Sequence, residues 1–547
     1  MSDRQIMRSA GKVGLAVMGS RVLGLLRDQI FAYCFGAGMV MDCFQMAFRI
    51  PNLLRDLFAE GAFSTAFVTV FARRRAREGD DGAWQLARLM MTLQVVLLSA
   101  LSLMGIIFAP WIVRIMAPGF FDIPGKGELT IFLTQLLFPF IILVAAAAVV
   151  MGILNTFGRF GLPASATIFF NIVMLAVGLP LAWFFDPHFD ETAIICMAVG
   201  VLAGGAAQWL VQMPALRRQG YRYWPEWNWR DSGVVETLKL MLPTLIGVSA
   251  VQVNVVINSI FASGLGDGAV AWLNYGFRLI QLPIGLFGVA ISTAALPSLA
   301  VDATNQHRKV FCDKVEHALR LNAALCIPAA CGLALISRPL VCVLFERGRF
   351  GPQDTEATAM VIIAYAVGLV GYASIKVLNT AFYALNRTVA PMCVSLGSIL
   401  LTAALNWFLV VRVGAGVMGI AMATSVSALC SMSVLYVILS RMVGGLSNRG
   451  WRTLRRVVLA AAIMSLAVEG VFWAHEGLDI PPNFWGSFSR VMFGAAAGMA
   501  VYIWTARRLK LEEVLAVEDV VRSKLGMAPR RHEVHHEHQS HDSGKTR

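Results

Sequence analysis

The chain has 547 residues, of which 57% are hydrophobic and 14% are charged, and its mean hydropathy is +0.66. This composition excludes a water-soluble surface and favours a polytopic helical membrane protein, because each helical crossing of a bilayer needs about 20 apolar residues. The net charge of +13 indicates basic cytoplasmic loops, since Lys and Arg are retained on that face during insertion. We therefore expect no nucleic-acid partner.

Cysteines and histidines give little sign of a metal or a cofactor. The nine cysteines are scattered and form no CxxC pair, so we expect them to be small apolar residues packed in helices. After Lys510 the chain contains a short amphipathic segment and then a tail with five of the nine histidines. A tail without fixed ligand geometry favours incidental metal binding, and we expect neither a physiological metal site nor a cofactor.

Long apolar runs predict about fourteen transmembrane helices. An even number places both termini on one side, and the arginines concentrate in the loops on that side, so both termini are expected in the cytoplasm. No cleavable signal peptide is evident, because Arg21 and Arg27 interrupt the first apolar stretch. The loop 345–350 is an exception to the charge rule, since its two arginines lie on the opposite side. The predicted spans are residues 9–35, 40–72, 84–113, 129–157, 160–185, 191–216, 233–262, 268–301, 315–337, 355–385, 389–411, 416–440, 452–474 and 484–506.

Two segments of the chain repeat. Residues 48–66 contain Phe-Arg, then Leu-Phe, then AFSTA, and residues 277–294 contain Phe-Arg, then Leu-Phe, then AISTA at nearly the same spacing. The match joins the second predicted span to the eighth and so predicts two six-helix lobes related as parallel repeats, a transporter architecture. The predicted organisation is an N-lobe at 1–230, a C-lobe at 231–448, a helix pair at 449–510, and a cytoplasmic amphipathic helix with the His-rich tail at 511–547.

Ionisable residues inside the predicted spans are the main functional signal. A charge at mid-bilayer costs about 2.5–3.5 kcal/mol on insertion scales, so such residues normally face a protein interior or a wet cavity. In the first span Arg21 and Asp28 share a helix face, with Arg27 turned aside. In the second span Pro51 should kink or break the helix. The other charged or amide candidates are Asp42, Arg49, Asn52, Arg55, Asp56, Glu60 and Arg278, with Lys376 as a weaker one.

These charges have two interpretations. The first is a water-filled cavity between the lobes, in which arginines hold an anionic group such as a phosphate, because a guanidinium binds two oxygens at once. The second is that the charges pair among themselves and hold helices in register. Four arginines of the first two spans are matched by four acids, whereas no acid lies near Arg278 in its own span, which favours the cavity.

Motifs of enzymes are missing from the sequence. There is no P-loop, no HExxH and no GxSxG. The acidic pair Asp80 and Asp81 lies in an arginine-rich loop, where solvated charges explain it. We therefore predict a transporter rather than an enzyme, driven by an ion gradient, the membrane potential or the substrate gradient itself.

Four stretches resemble the MurJ (MviN) family of lipid II flippases, which belongs to the multidrug/oligosaccharidyl-lipid/polysaccharide exporter superfamily. They are SRVLGLLRD at 20–28, FGAGMVMDCF at 35–44, IPNLLRDLFAEGAFSTAF at 50–67 and GVAISTAALPSLA at 288–300. The resemblance implies a fourteen-helix inner-membrane protein of peptidoglycan biosynthesis and cell shape. Such a protein moves undecaprenyl-pyrophosphoryl-MurNAc-pentapeptide-GlcNAc, lipid II, from the cytoplasmic to the periplasmic leaflet by alternating access.

The resemblance also implies site residues and partners. The last two helices would hold the polyprenyl tail in a lipid-facing groove. Partners would be lipid II, membrane lipids and cell-wall synthesis or division proteins, around a monomer. Asp56 stands where members often have a second basic residue, which implies a weaker positive field. The implied cavity residues are Arg21, Arg27, Asp42, Arg55 and Arg278, with Asp28, Asn52 and Glu60 in the same motifs and with Arg49 and Lys376 as secondary candidates.

Three other functions stay open from the sequence. The chain could be a flippase for another polyprenyl-linked glycan, or a drug/cation antiporter of the same superfamily. A non-transporting membrane scaffold that organises cell-wall enzymes is the alternative from a different class.

Overall fold

The computed structural model describes residues 3–55, 62–304, 308–443, 449–478, 481 and 483–524, and this part of the chain contains helices and no strand. Two helices are continued by π-helical turns, at Ile284–Val289 and Trp407–Arg412. The helices are α1 Asp3–Phe35, α2 Met39–Arg55, α3 Ala62–Met116, α4 Lys126–Leu137, α5 Phe140–Thr156, α6 Gly161–Phe185, α7 Glu191–Leu210, α8 Met213–Arg217, α9 Ser232–Ser263, α10 Ala269–Pro283, α11 Ala290–Thr304, α12 Arg308–Leu335, α13 Ser337–Leu344, α14 Pro352–Ala384, α15 Val389–Asn406, α16 Gly416–Val443, α17 Arg449–Gly477, α18 Phe484–Arg508 and α19 Glu512–Lys524.

The predicted all-helical membrane class is confirmed. The described residues of each predicted span are mainly helical. Helix α3 includes parts of two predicted spans, and a kink at Gly79, where φ is 76°, separates these two parts. Within the described residues ten helical segments are long and apolar enough to cross a membrane. The count of fourteen crossings stays a prediction.

The helices pack in two groups. Helices α1 to α8, which we call the N-bundle, pack on one another through pairs such as α6 with α7, α1 with α6, and α2 with α4. Helices α10 to α16, the C-bundle, gather around α14, which contacts α10, α11, α12 and α16. Helix α9 connects the groups, since it packs on α3 and also on α15. Helices α17 and α18 pack on each other and against α12 and α13.

Glycines and prolines shape the helix ends near the bundle boundary. Gly268, with φ of 89°, precedes α10 in the left-handed conformation that glycine adopts most readily. Pro283 ends the α-helical part of α10 and the π-helical turn follows it at once. Helix α2, in contrast, continues through Pro51 to Arg55, so the predicted break does not occur at that proline.

We name the two ends of the molecule by α1. The near end is where α1 begins, and the far end is where α1 finishes at Phe35. The far end contains the turns at 36–38, 117–125, 186–190, 264–268 and 345–351. The distribution of arginines predicts that the near end is cytoplasmic.

Candidate functional site: an arginine-lined cavity between the bundles

A cavity of about 530 Å³ lies between the N-bundle and the C-bundle. Its described lining contains five arginines and one aspartate, together with a set of side-chain amides and an apolar wall of phenylalanines. The charged residues are Arg21, Arg27, Asp28, Arg49, Arg55 and Arg278. The amides are Gln45, Asn52, Asn171, Gln208, Gln252, Asn274 and Gln281, and the phenylalanines are Phe31, Phe44, Phe48, Phe140, Phe170 and Phe277.

Asp28 holds two of the arginines. Its Oδ1 accepts from Arg27 Nη2 at 2.8 Å, and its Oδ2 accepts from Arg278 Nε at 2.7 Å. Arg27 also donates from Nη1 to Asn171 Oδ1 at 3.2 Å. The expectation that Arg27 turns aside from Asp28 is therefore wrong. The acid beside Arg278 is Asp28, which lies on α1 of the other bundle. The sequence of α10, the helix that contains Arg278, therefore gives no sign of this partner.

Arg21 and Arg49 have no acidic partner in the described part of the chain. Arg49 donates from Nη1 to Ser259 Oγ at 2.8 Å, and no described carboxylate lies within 4.0 Å of either guanidinium. The Arg21 guanidinium lies against the π-helical turn of the C-bundle, so that a Cβ added at Gly285 would be 2.9 Å from its Nη1. Both interpretations of the charges hold in part, because Arg27 and Arg278 are paired with Asp28, whereas Arg21 and Arg49 have no described carboxylate.

The second helix contributes Asn52 and Arg55 to the cavity lining, and their predicted role in substrate binding stays a prediction. Asn52 Oδ1 is buried and accepts no hydrogen bond from the described residues. Asp56 and Glu60 lie outside the described residues, so the predicted role of Glu60 stays a prediction.

Asp42 lies outside the cavity lining and joins the bundles at the far end. Its Oδ2 accepts from Lys126 Nζ at 2.9 Å and from the Gly268 amide at 2.8 Å, and its Oδ1 accepts from the Ala271 amide at 2.9 Å. Lys126 Nζ also donates to Asp267 Oδ1 at 2.8 Å. The carboxylate thus neutralises a buried ammonium and meets the positive N-terminus of α10. The sequence places Lys126 in an outer loop, whereas its side chain is 0% exposed.

The loop 345–350 is a second contact between the bundles at the far end. The Arg349 amide donates to the Tyr33 carbonyl at 3.0 Å, and its Nη1 donates to Asp190 Oδ1 at 2.8 Å. Gly348, with φ of 60°, lies so close to Tyr33 that an added Cβ would be 2.3 Å from the Tyr33 carbonyl oxygen. Arg349 is therefore held by an acid of the N-bundle. We call this set the far-end seam: Tyr33, Asp42, Lys126, Asp190, Asp267, Gly268, Ala271, Gly348 and Arg349.

Lys376 lies on the exposed side of α14 and is not part of the cavity lining. Apart from Asn52, sequence reasoning missed the amides of the lining, above all Asn171, Gln208 and Gln281. Amide side chains carry no charge, so a search for charged residues inside apolar spans does not find them. Their helical spacing within apolar spans is the only available signal.

Two helical bundles around a polar, arginine-lined cavity, on helices apolar enough to cross a bilayer, define a membrane transporter. A family model described as Lipid II flippase MurJ matches residues 31–477. The chain belongs to this family, whose members are transporters and not enzymes.

Relatives agree with this family. A probable lipid II flippase MurJ of Vibrio cholerae serotype O1 is 34% identical over 531 residues, covering 93% of this chain and 98% of the relative. A lipid II flippase MurJ of Burkholderia cenocepacia is 34% identical over 437 residues, covering 79% and 82%.

The fold is also similar to that of solved transporters. A structure of the lipid II flippase MurJ in an inward closed conformation matches with a TM-score of 0.75 at 24% identity, covering 91% of this chain and 99% of that chain. An inward-facing MATE family transporter of the MOP superfamily matches with a TM-score of 0.60 at 13% identity, covering 81% and 95%.

Proposed function

We propose that this chain carries lipid II from the cytoplasmic to the periplasmic leaflet of the bacterial inner membrane by alternating access of its two bundles. As a member of the MurJ family it is a lipid II flippase. The route, the direction and the residues that hold the substrate are the proposed part. The observation that carries them is the cavity of about 530 Å³ with five arginines and one aspartate in its described lining.

The pyrophosphate binds to the arginines that have free donors. Arg278 uses only Nε for Asp28, and its two Nη atoms make no hydrogen bond to the described residues. Arg21 and Arg49 have no described acidic partner. A guanidinium donates in parallel to two phosphate oxygens, so these three side chains are suited to a diphosphate.

Arg27 acts differently from these three arginines. Its Nε and Nη2 donate to Asp28 and its Nη1 donates to Asn171, which occupies all three nitrogens. Arg27 therefore holds Asp28 in place, and Asp28 in turn orients Arg278 across the bundle boundary. Arg27 contributes positive charge and positions Asp28, whereas the other arginines contact the substrate directly.

The sugar and peptide head of the substrate meets the amides of the lining. Asn52 Oδ1 is buried without a hydrogen-bond donor among the described residues. A buried acceptor of this kind gains free energy when a ligand hydroxyl or amide pairs with it, because an unpaired buried polar group is costly. Gln208, Gln252 and Gln281 line the same space.

Alternating access requires the far-end seam to separate. Its contacts across the bundle boundary are those of Asp42 with the Gly268 and Ala271 amides, of Lys126 with Asp267, and of Arg349 with Asp190. A ligand shifts such an equilibrium only through a difference in its affinity for the two states. Binding of the diphosphate between α1 and α10 supplies that difference, because Arg21 of the N-bundle and Arg278 of the C-bundle line the same cavity.

The polyprenyl tail remains in lipid along α17 and α18. These helices pack on each other and on α12, and Leu466 and Met499 are 73% and 66% exposed on them. An apolar helix pair outside the bundles suits a tail that never enters the aqueous cavity. This assignment follows the predicted helix pair at 449–510.

Transfer of labelled lipid II across proteoliposome bilayers tests the proposed function. We expect the full-length protein to accelerate the transfer and R21Q/R278Q to abolish it. The control K376Q also removes one positive charge per substituted site, but outside the cavity, and should leave the transfer unchanged. Transport of a different polyprenyl-linked glycan or of cationic drugs in place of lipid II would contradict the proposal. The same holds for a protein that moves none of them, as a scaffold would.

A further inference from the structure

The segment 221–230, YRYWPEWNWR, is an unusual surface of the near end. We call it the tryptophan strap. It has no regular secondary structure over residues 221–228 and connects α8, which ends at Arg217, to α9, which begins at Ser232. Both flanking predicted spans end or begin within a few residues of it, so the strap lies at the level where the helices leave the bilayer.

The strap is anchored to α3 by its buried residues. Tyr221 is 2% exposed and its ring centroid lies 5.5 Å from that of Trp84. Glu226 accepts from Arg88 Nε at 2.6 Å and from Trp224 Nε1 at 2.7 Å. These contacts fix the backbone of the strap and determine which side chains point away from the protein.

The outer face of the strap is aromatic. Tyr223, Trp224, Trp227 and Trp229 are 48%, 53%, 60% and 57% exposed. Exposure of three indole rings to bulk water does not stabilise a loop. Trp and Tyr are instead enriched where a bilayer meets water, because each ring has an apolar body and a polar edge.

Four arginines, two in the strap and two just before it, have no acidic partner among the described residues. Arg217, Arg218, Arg222 and Arg230 are exposed, and within the described residues no carboxylate lies within 4.0 Å of them. Other arginines at this end are paired, for example Arg74 with Asp231 at 2.7 Å and Arg88 with Glu226 at 2.6 Å. The positive charge next to the exposed rings is therefore available to an external anion.

We infer that the tryptophan strap binds the headgroups of anionic phospholipids in the near-end leaflet. The exposed rings enter the headgroup layer, and the four unpaired arginines attract lipid phosphates, at roughly fivefold in affinity per arginine. The combination of interfacial aromatics and unpaired positive charge beside the span ends favours lipid over a soluble protein partner. This binding would fix the connection between the two bundles against the membrane surface.

Quenching of tryptophan fluorescence by brominated lipids tests this inference. The full-length protein and its variant W224F/W227F/W229F are placed in phosphatidylcholine vesicles that contain either brominated phosphatidylglycerol or the same fraction of brominated phosphatidylcholine. The difference between the two proteins isolates the strap tryptophans. We expect these tryptophans to be quenched several-fold more by brominated phosphatidylglycerol, and R222Q/R230Q to remove most of this preference.

The matched control is R308Q/K309Q, which removes two exposed positive charges from the start of α12 and should leave the preference unchanged. Strap tryptophans that no brominated lipid quenches would overturn the inference and would indicate water or a protein partner. Equal quenching by the two lipids would overturn the role of the arginines. The vesicles contain no lipid II, so the outcome is independent of the flippase activity.

Discussion

Arg278 and Asp28 connect the two bundles across the cavity, with Nε of the arginine 2.7 Å from Oδ2 of the aspartate. The two residues are 250 positions apart in the chain. Asp28 also accepts from Arg27, so one carboxylate orients two guanidinium groups. The negative charge of Asp28 reduces the repulsion between the cavity arginines when no ligand is bound. It also leaves the Nη atoms of Arg278 available to a ligand.

The R278A substitution should abolish rescue of a cell depleted of its own flippase, because it removes a substrate-binding donor and the partner of Asp28. R278K should rescue only partly, since an ammonium keeps the charge but lacks the fork of a guanidinium. Growth after depletion is the measurement, with protein levels checked by immunoblot. K376A is the matched control and should rescue fully, because Lys376 is exposed outside the cavity. Full rescue by R278A would exclude the assigned role.

The D42N substitution should destabilise the far-end seam by about 3 kcal/mol, because it breaks a buried ion pair and leaves the Lys126 ammonium with only the half-exposed Asp267 as its counter-charge. Both side chains of the Asp42–Lys126 pair are 0% exposed. D267N removes the other acid at Lys126, but the Asp267 side chain is 49% exposed, and its loss should cost below about 1 kcal/mol. Thermal unfolding in detergent compares the two variants. Equal losses of stability would show that Asp42 does not dominate this contact.

The G348A substitution should separate the loop 345–350 from α1. Its added Cβ would be 2.3 Å from the Tyr33 carbonyl oxygen. In addition, φ at this position is 60°, a backbone conformation that residues other than glycine adopt only with strain. We expect loss of the seam and a large loss of lipid II transport in proteoliposomes. G351A, three residues away, is the control, because nothing lies within 4 Å of its Cβ position. Wild-type transport by G348A would rule out a requirement for this contact.

Much of the fold follows from local sequence patterns. The apolar runs predict where helices lie, because helix formation and membrane insertion depend on composition within about 20 residues. The lining arginines were also recognisable, since charges inside apolar spans are rare. Arg21, Arg27, Arg49, Arg55 and Arg278 were all named from the sequence and all line the cavity.

The pairing of these charges could not be derived from the sequence. Asp42 meets Lys126 at a separation of 84 positions, and no local pattern distinguishes this lysine from a solvated loop residue. In the sequence Arg349 is likewise an exception to the charge rule, and only the structure shows that it pairs with Asp190. Such contacts depend on how segments far apart in the chain pack together, which is a property of tertiary structure.

We propose that Arg21 and Arg49, whose guanidinium groups have no carboxylate partner among the described residues, recognise a diphosphate in the cavity. The most direct test compares the affinity of the protein for two forms of one polyprenyl-linked disaccharide, linked through a pyrophosphate or through a single phosphate. We predict that the wild-type protein prefers the pyrophosphate form at least tenfold, since a charge-assisted hydrogen bond contributes about 1.5–3 kcal/mol. We also predict that R21Q/R49Q loses this preference. Equal affinity of the wild-type protein for the two forms, or an undiminished preference in R21Q/R49Q, would contradict the account.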